Sequence, residues 1–300
     1  MSDAQPLIDP HHHLWDVEHN RYPWLQENAL QPRLEGDIGP IAKNYLLEDY
    51  LADTRNQNLV KSVHIECGWD PSDPVGETEW LQRLADKHGY PHGIVARATL
   101  DAPGVERILE GHAGYRNIRG IRHSINWHPD PAKRYVTRPD LIRTEAWRRG
   151  FGLLRRFGLS FDLQLYPAQM ADAAALAYAH PDVLLILNHT GMPVDHDQEG
   201  LDLWRRGMRD LAAARNVVVK ISGLGAVIPN WTVGSIRPFV LETIETFGVG
   251  RCMFASNFPV DKLWSDFDAV YAAFREITEP FSGAERRLLF HDNAVRYYRL

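Results

Sequence analysis

Three consecutive histidines, His11, His12 and His13, follow an Asp-Pro pair in the run IDPHHHLWD. In an extended chain His11 and His13 are two apart and project to the same side. Two imidazoles on one side can ligate a divalent metal or hydrogen-bond a developing oxyanion. The run is embedded in apolar and charged sequence on both sides, which sets it apart from an appended tag.

Other residues able to do chemistry recur in or at the ends of short apolar runs. VKSVHIEC carries His64 and Glu66, read as sharing one face. IRGIRHSI gives Arg122 and His123. LSFDLQL alternates Ser160, Asp162 and Gln164 with Phe161, Leu163 and Leu165. VLLILNH ends in Asn188-His189, VVVKISG carries Lys220 and Ser222, and CMFASN ends in Ser256-Asn257. Charge inside an apolar run is costly unless it is paired or used. Taken singly, each residue could belong to a buried pair, such as Lys220 with Asp162 or Glu66. Taken together at strand ends, they point to one site. The catalytic candidates are His11, His13, His189, Asn257 and Asp162. The substrate-binding candidates are Trp15, His64, Glu66, Arg122, His123, Gln164 and Lys220. Arg122 suits a planar carboxylate, because its fork binds two oxygens at once. His11 and His13 could together ligate one divalent metal.

These residues need a frame that brings eight chain segments together. The apolar runs 6–9, 60–67, 93–99, 118–125, 159–165, 183–189, 217–223 and 252–257 read as strands. Amphipathic stretches over 44–57, 79–89, 145–158, 168–181, 202–215, 235–248, 266–278 and 283–299 read as helices. Eight strands with interleaved helices predict an α/β fold, a (β/α)8 TIM barrel with room for distortion, as one domain over residues 1–300. A doubly wound open sheet is the alternative. No glycine-rich phosphate loop follows any strand, which counts against it. In a barrel the active site lies at the C-terminal ends of the strands. The first βα connection (10–43) is long and rich in aromatic residues, as functional loops tend to be. Trp15, Tyr22, Trp24, Trp69 and Trp127 either wall a pocket or pack loops together. His19, His112, His180 and His196 are expected in solvent. His291 is expected at a helix start or approaching the barrel mouth.

The totals exclude several classes. The net charge is −6 and no basic tract tracks phosphates, so no nucleic-acid partner is expected. No apolar window approaches the ~18 residues of a membrane span. The N-terminus MSDAQPLIDP lacks the basic and apolar regions of a signal peptide. Cys67 and Cys252 read as buried thiols, which suits a reducing cytoplasm. The expected partner is a small-molecule substrate, with homo-oligomer formation left open.

The motifs resemble the amidohydrolase-2 group of the amidohydrolase superfamily. IDPHHHLWD is similar to its D-x-H-x-H-x-W opening. RYPWL, GIRH, FDLQ, NHTGMP, VKISGL and S-N-F-P follow in the group's order across essentially the whole chain. The subgroup it most resembles is lactonase-like, including fuconolactonase, rhamnonolactonase, sulfomuconolactone hydrolase and pyrone-dicarboxylate lactonase. The resemblance implies a barrel that hydrolyses a lactone of a sugar or a carboxylated compound. Non-oxidative decarboxylation of an aromatic or enoic acid, or ligand binding without turnover, are the alternatives. It implies a site of two motif histidines, a strand-6 histidine and a strand-8 aspartate, here His11, His13, His189 and Asn257. The family's G-S-D-W-P reads Ala255-Ser256-Asn257-Phe258-Pro259 in this chain. An amide is no proton acceptor and a poorer metal ligand. Asp162, Glu66, Asp261 and His189 are the candidate substitutes for the base. One divalent ion, zinc first, is implied as an optional cofactor, since the lactonase subgroup also works metal-free.

Overall fold

A strand that must carry polar residues at its tip and apolar ones along its length has to be buried on both faces below that tip. The computed structural model, which describes residues 5–300, shows this arrangement. The first four residues of the stretch read above for a signal peptide lie outside the described residues. Eight strands, β1 (Leu7–His12), β2 (Leu59–Ile65), β3 (Gly93–Arg97), β4 (Ile118–Arg122), β5 (Ser160–Leu163), β6 (Leu185–Leu187), β7 (Val217–Ile221) and β8 (Cys252–Phe254), each pair in parallel with the next. Past the last ladder, the His13 amide donates to Phe258 O at 2.7 Å and the Asn257 amide to His11 O at 2.8 Å. These bonds join β8 to β1 and nearly close the barrel.

The helices run between the strands: α1 (Leu47–Asp53), α2 (Gly76–His88), α3 (Val105–Ala113), α4 (Glu145–Leu153), α5 (Met170–Ala179), α6 (Gln198–Ala213), α7 (Leu224–Val227), α8 (Val233–Phe247) and α9 (Phe267–Ile277). Two apolar layers result from the strand alternation. Phe161, Leu163, Leu185, Leu187, Val219, Ile221 and Phe254 face outward to the helices. Ile8, Val63, Ile65, Val95, Ile186, Val218 and Met253 fill the interior.

The C-terminal segment plugs the end opposite the site. The helix expected over 283–299 is three pieces: α10 (Gly283–Arg287), a π-helical turn (Leu288–Asp292) and α11 (Asn293–Tyr298). Ala294 and Tyr298 of α11 pack onto the interior layer. His291 lies on this plug, bonded to Asp292 at 2.7 Å, and not at the barrel mouth.

Several expectations are corrected. Helix α3 was not among the expected helices, although Val105, Leu109 and His112 form its buried face. His112 is not solvated: it sits between Thr78 Oγ1 at 2.9 Å and Arg97 O at 3.0 Å. The ladders are shorter than the apolar runs, as with Leu185–Leu187 against 183–189, because the tips bend away into the loops that carry polar groups. His64 and Glu66 do not share a working face. Val63 and Ile65 take the inward positions of β2, so His64 points out of the barrel, and Glu66 turns inward only beyond the strand's end.

Asp9 ties the closing seam. Its buried carboxylate accepts from the Ser256 amide at 2.9 Å, Ser256 Oγ at 2.6 Å, Tyr50 OH at 2.9 Å, the His11 amide at 3.3 Å and Tyr271 OH at 3.4 Å. Asp9→Ala should lower unfolding free energy by at least about 3 kcal/mol, because it strands several buried donors together. Urea unfolding measures this, and a loss under about 1 kcal/mol would show that the seam holds without the carboxylate.

Candidate active site

The strand tips open into one cavity of 770 Å³. Its floor and wall include His13, Glu66, Arg122, His123, Gln164, His189 and Asn257, and its upper wall includes Trp24, Arg33, Trp69, Arg97, Arg134 and Tyr135. Two loops roof it. The first connection is anchored by reciprocal backbone bonds between Trp15 and Tyr45, both 2.9 Å, and by Trp24 Nε1 to Cys67 O at 2.6 Å. The β4–α4 connection meets it where Tyr135 OH donates to Glu35. A second cavity of 560 Å³, between α6 and α8, is lined by Trp204, Arg205 and Met208 among others and holds none of these candidate residues.

Three imidazoles converge at the base: His13 and His189 line the cavity, and His11 is fully buried against both. The His11 ring centroid lies 4.5 Å from that of His189 and 5.0 Å from that of His13. His13 Nδ1 donates to Ile65 O at 2.7 Å. A carbonyl can only accept, so Nδ1 carries the proton. Burial holds all three imidazoles well below their ordinary value, with Lys220 adding to the effect on His11 and His189. His13 is therefore neutral, and its Nε2 offers a lone pair and not a proton. His189 Nδ1 bonds Ser222 Oγ at 3.0 Å, which leaves its Nε2 free as well. His11 is fully buried and neither ring nitrogen has a protein partner. A buried imidazole with both nitrogens orphaned is costly unless something fills the gap. Lone pairs on neutral imidazoles, two of them oriented by Ile65 O and Ser222 Oγ, fit a divalent cation of the zinc class.

The backbone around His189 is bent to present it. His189, Thr190, Gly191 and Met192 all have positive φ, 55°, 57°, 71° and 47°. The three that are not glycine cost roughly 1–3 kcal/mol each, and such residues cluster at functional sites. Trp204 Nε1 steadies the turn through Thr190 O at 2.8 Å. Across from it, a Cβ on Gly223 would stand 2.5 Å from His189 Nδ1, so the β7 loop needs glycine there.

The polar wall is a fixed cationic clasp. Arg122 Nε donates to Glu66 Oε1 at 2.7 Å and Nη1 to Gln164 Oε1 at 2.8 Å, while Nη2 reaches Glu66 O. Burial would raise the Glu66 carboxyl, but Arg122 and Arg97 outweigh it and hold it low. Arg97, at the tip of β3, is 47% exposed and approaches Glu66 no nearer than 4.0 Å. It is the guanidinium with capacity for a ligand. His123 Nδ1 accepts from the Leu100 amide and Trp147 Nε1, both at 3.1 Å. Its proton must then be on Nε2, where it can be donated to a substrate oxygen.

Behind Asn257 lies a carboxyl with no cation. Asn257 sits at φ 59°. Burial pushes Asp261 up to about 8, although the Asn257 side chain and the Gly223 and Gly225 amides nearby act to lower it, and its Oδ1 has no hydrogen-bond partner. An acid raised this way destabilises the fold progressively as pH rises from about 4 to about 8, because the native state keeps a proton that the unfolded chain gives up.

The remaining sequence candidates fall elsewhere. Lys220 and Asp162 form a fully buried pair at 2.5 Å beneath the imidazoles, joined by Tyr298 OH at 2.9 Å from the plug. They do not reach the cavity. Trp15 is buried behind His13, with its Nε1 on Lys43 O at 2.7 Å. Tyr22 packs behind the cavity wall, edge-on to Trp69, and Trp127 lies under Arg134. His64 lies outside the barrel with Cys67 and Glu77. Arg97 was missed, although Val95 and Arg97 alternate in GIVAR, and the strand-tip rule applied to β3 would have selected it.

A family model described as Amidohydrolase matches residues 8–300. An uncharacterized protein of Sinorhizobium fredii is 55% identical over 300 residues, covering 100% of both chains. An L-fucono-1,5-lactonase of Burkholderia multivorans is 29% identical over 308 residues, covering 98% of this chain and 96% of its own. In structure, the chain is similar to an amidohydrolase of Burkholderia multivorans crystallised with bound zinc, at 27% identity and a TM-score of 0.81, covering 98% of this chain and 99% of that one.

Proposed function

The chain belongs to the amidohydrolase family and is a hydrolase, and from that premise we propose that it opens the ring ester of a small carboxylated lactone. The carrying observation is the cluster of His11, His13 and His189 at the base of the cavity, with Arg97 on its wall, half exposed and no nearer than 4.0 Å to a carboxylate. The L-fucono-1,5-lactonase relative supports the reaction class. The free cavity-wall cation favours a carboxylate on the substrate. Two buried free thiols suit an enzyme of the cytoplasm. No helix among the described residues is long and apolar enough to cross a membrane.

His11, His13 and His189 would hold one divalent ion, zinc by the character of the donors, which supplies polarisation of the ester carbonyl. The repulsion of the neighbouring cations is offset in part, because Lys220 is paired with Asp162 and Arg122 with Glu66. Arg97 and the outer edge of Arg122 hold the carboxylate. His123 Nε2 donates to a second substrate oxygen. Asn257 holds water against the carbonyl carbon. In its ionised form, which becomes populated as pH approaches about 8, Asp261 takes the water's proton and returns it to the ring oxygen as the C–O bond breaks. The product is a hydroxy acid, and one proton reaches solvent. A buried carboxyl kept at a cost in stability is a mark of such a role.

A pH-indicator assay on a panel of carboxylated and neutral sugar lactones, with and without chelator, tests this reading. Acid release from carboxylated lactones, abolished by chelator and restored by zinc, is expected. No acid from any lactone, with CO2 released from an aromatic acid instead, would replace the reading with decarboxylation. Arg97→Ala should raise KM for carboxylated lactones by about 10- to 100-fold, the worth of one or two charge-assisted bonds, and leave KM for neutral ones unchanged. An equal loss on both would remove Arg97 from carboxylate recognition. Asp261→Asn should slow turnover by about 10²–10⁴-fold. The same variant should gain stability over the parent as pH rises from about 4 to 8, by at most about 1.4 kcal/mol per pH unit. Stability gained with turnover intact would make Asp261 structural.

A further inference from the structure

On the other side of His13, outside the barrel, a second group of ligand-type side chains meets. His64 of β2, Cys67 just beyond it and Glu77 in the first turn of α2 each offer a donor atom, and these atoms lie within 4.8 Å of one another. All three residues are buried, at 0%, 5% and 3% exposure. Their contacts are not those of a finished hydrogen-bond network. Cys67 Sγ lies 3.0 Å from Glu77 Oε1 and 3.4 Å from Leu14 O, although a thiol has one hydrogen to give. Glu77 Oε1 also accepts from the Cys67 amide at 3.0 Å. His64 Nε2 stands 3.3 Å from the same Leu14 O, and its Nδ1 has no partner. Glu77 has no ion-pair partner among the described residues, so this pocket gathers oxygen and sulfur acceptors with no cation in direct contact. A buried carboxylate without a cation is unstable unless it stays protonated or binds one.

We propose that His64, Cys67 and Glu77 form a second metal site, for one divalent ion of the zinc class, separate from the His11–His13–His189 floor. One thiolate, one imidazole and one carboxylate match that ion's preferences, and Leu14 O is placed as a fourth oxygen donor. Cys67 lies on the cavity wall, which gives the ion a way in. The bound ion ties the first loop at Leu14 to β2 and α2. It does so directly behind His13, whose ring centroid is 6.1 Å from that of His64. Its role is to fix the loop that roofs the cavity.

Cobalt distinguishes the two sites, since only this one contains sulfur. The full-length protein, stripped with chelator and titrated with Co²⁺, should develop a thiolate-to-cobalt charge-transfer band in the near ultraviolet that saturates at one ion. Zn²⁺ should bleach it. The band should survive in a His11→Asn, His189→Asn double variant and vanish in Cys67→Ser. Glu77→Gln should weaken Co²⁺ binding by more than about 100-fold, more than the loss of an outer-shell partner costs. Circular dichroism confirms that each variant is folded, and the wild-type titration is decisive even where one is not. Cobalt binding with visible bands but no charge-transfer band, or a band that persists in Cys67→Ser, overturns the proposal.

Discussion

A carboxylate taken out of water must be surrounded by donors, and it therefore dictates where those donors stand. Asp9 does this at the one seam where the barrel has no ladder. Its two oxygens gather the amide and hydroxyl of Ser256, the hydroxyls of Tyr50 and Tyr271, and the His11 amide. Tyr50 comes from α1, Tyr271 from α9 and Ser256 from beyond β8. One side chain thus fixes the distance between the segment bearing His11 and His13 and the segment bearing Asn257. The next bonds along, Asn257 N to His11 O and His13 N to Phe258 O, extend that registration to the cavity floor. The aspartate does no chemistry, yet the imidazoles cannot face His189 unless it is satisfied.

Charge balance is the second constraint. Two cations lie under and beside three imidazoles, and an unbalanced cation there would repel both a metal and a protonated intermediate. Each is matched at close range: Lys220 by Asp162, Arg122 by Glu66. The deeper pair is also held from below by Tyr298, so the plug that seals the barrel bottom completes the electrostatics of its top. Arg97 is held more loosely, no nearer than 4.0 Å to Glu66 and half exposed, which sets it apart from the cations that build the floor.

Much of this was legible in the residues. Eight apolar runs with polar tips gave the barrel, and the tips gave His13, Glu66, Arg122, His123, Gln164, His189 and Asn257 on the cavity. The misses have physical causes. Lys220 and Asp162 sit one layer too deep, because spacing along a strand gives the face and not the depth. His64 was placed on the wrong side, because β2 runs HIEC with Ile65 inward and the chain bends after it. The runs predicted ladders longer than those formed, since the apolar pattern continues into tips that have already left the sheet. The alternative readings of the loop aromatics both hold: Trp24 and Trp69 wall the cavity, whereas Trp15 and Tyr22 pack behind it.

The asparagine at position 257 follows from what lies behind it. Asp261 is buried against Asn257, Gly223 and Gly225 with no cation to offset its charge. A second carboxylate at 257 would face the first in a desolvated space, and two such groups cannot both ionise. Each would push the other's carboxyl up further, and an amide at 257 avoids that added repulsion. It lies beside Asp261, tolerates the left-handed backbone of that turn as asparagine does, and keeps a polar face toward the cavity. On the proposed reading, the carboxylate that the family motif carries at this position has its counterpart four residues along the chain and one layer back, beside the amide.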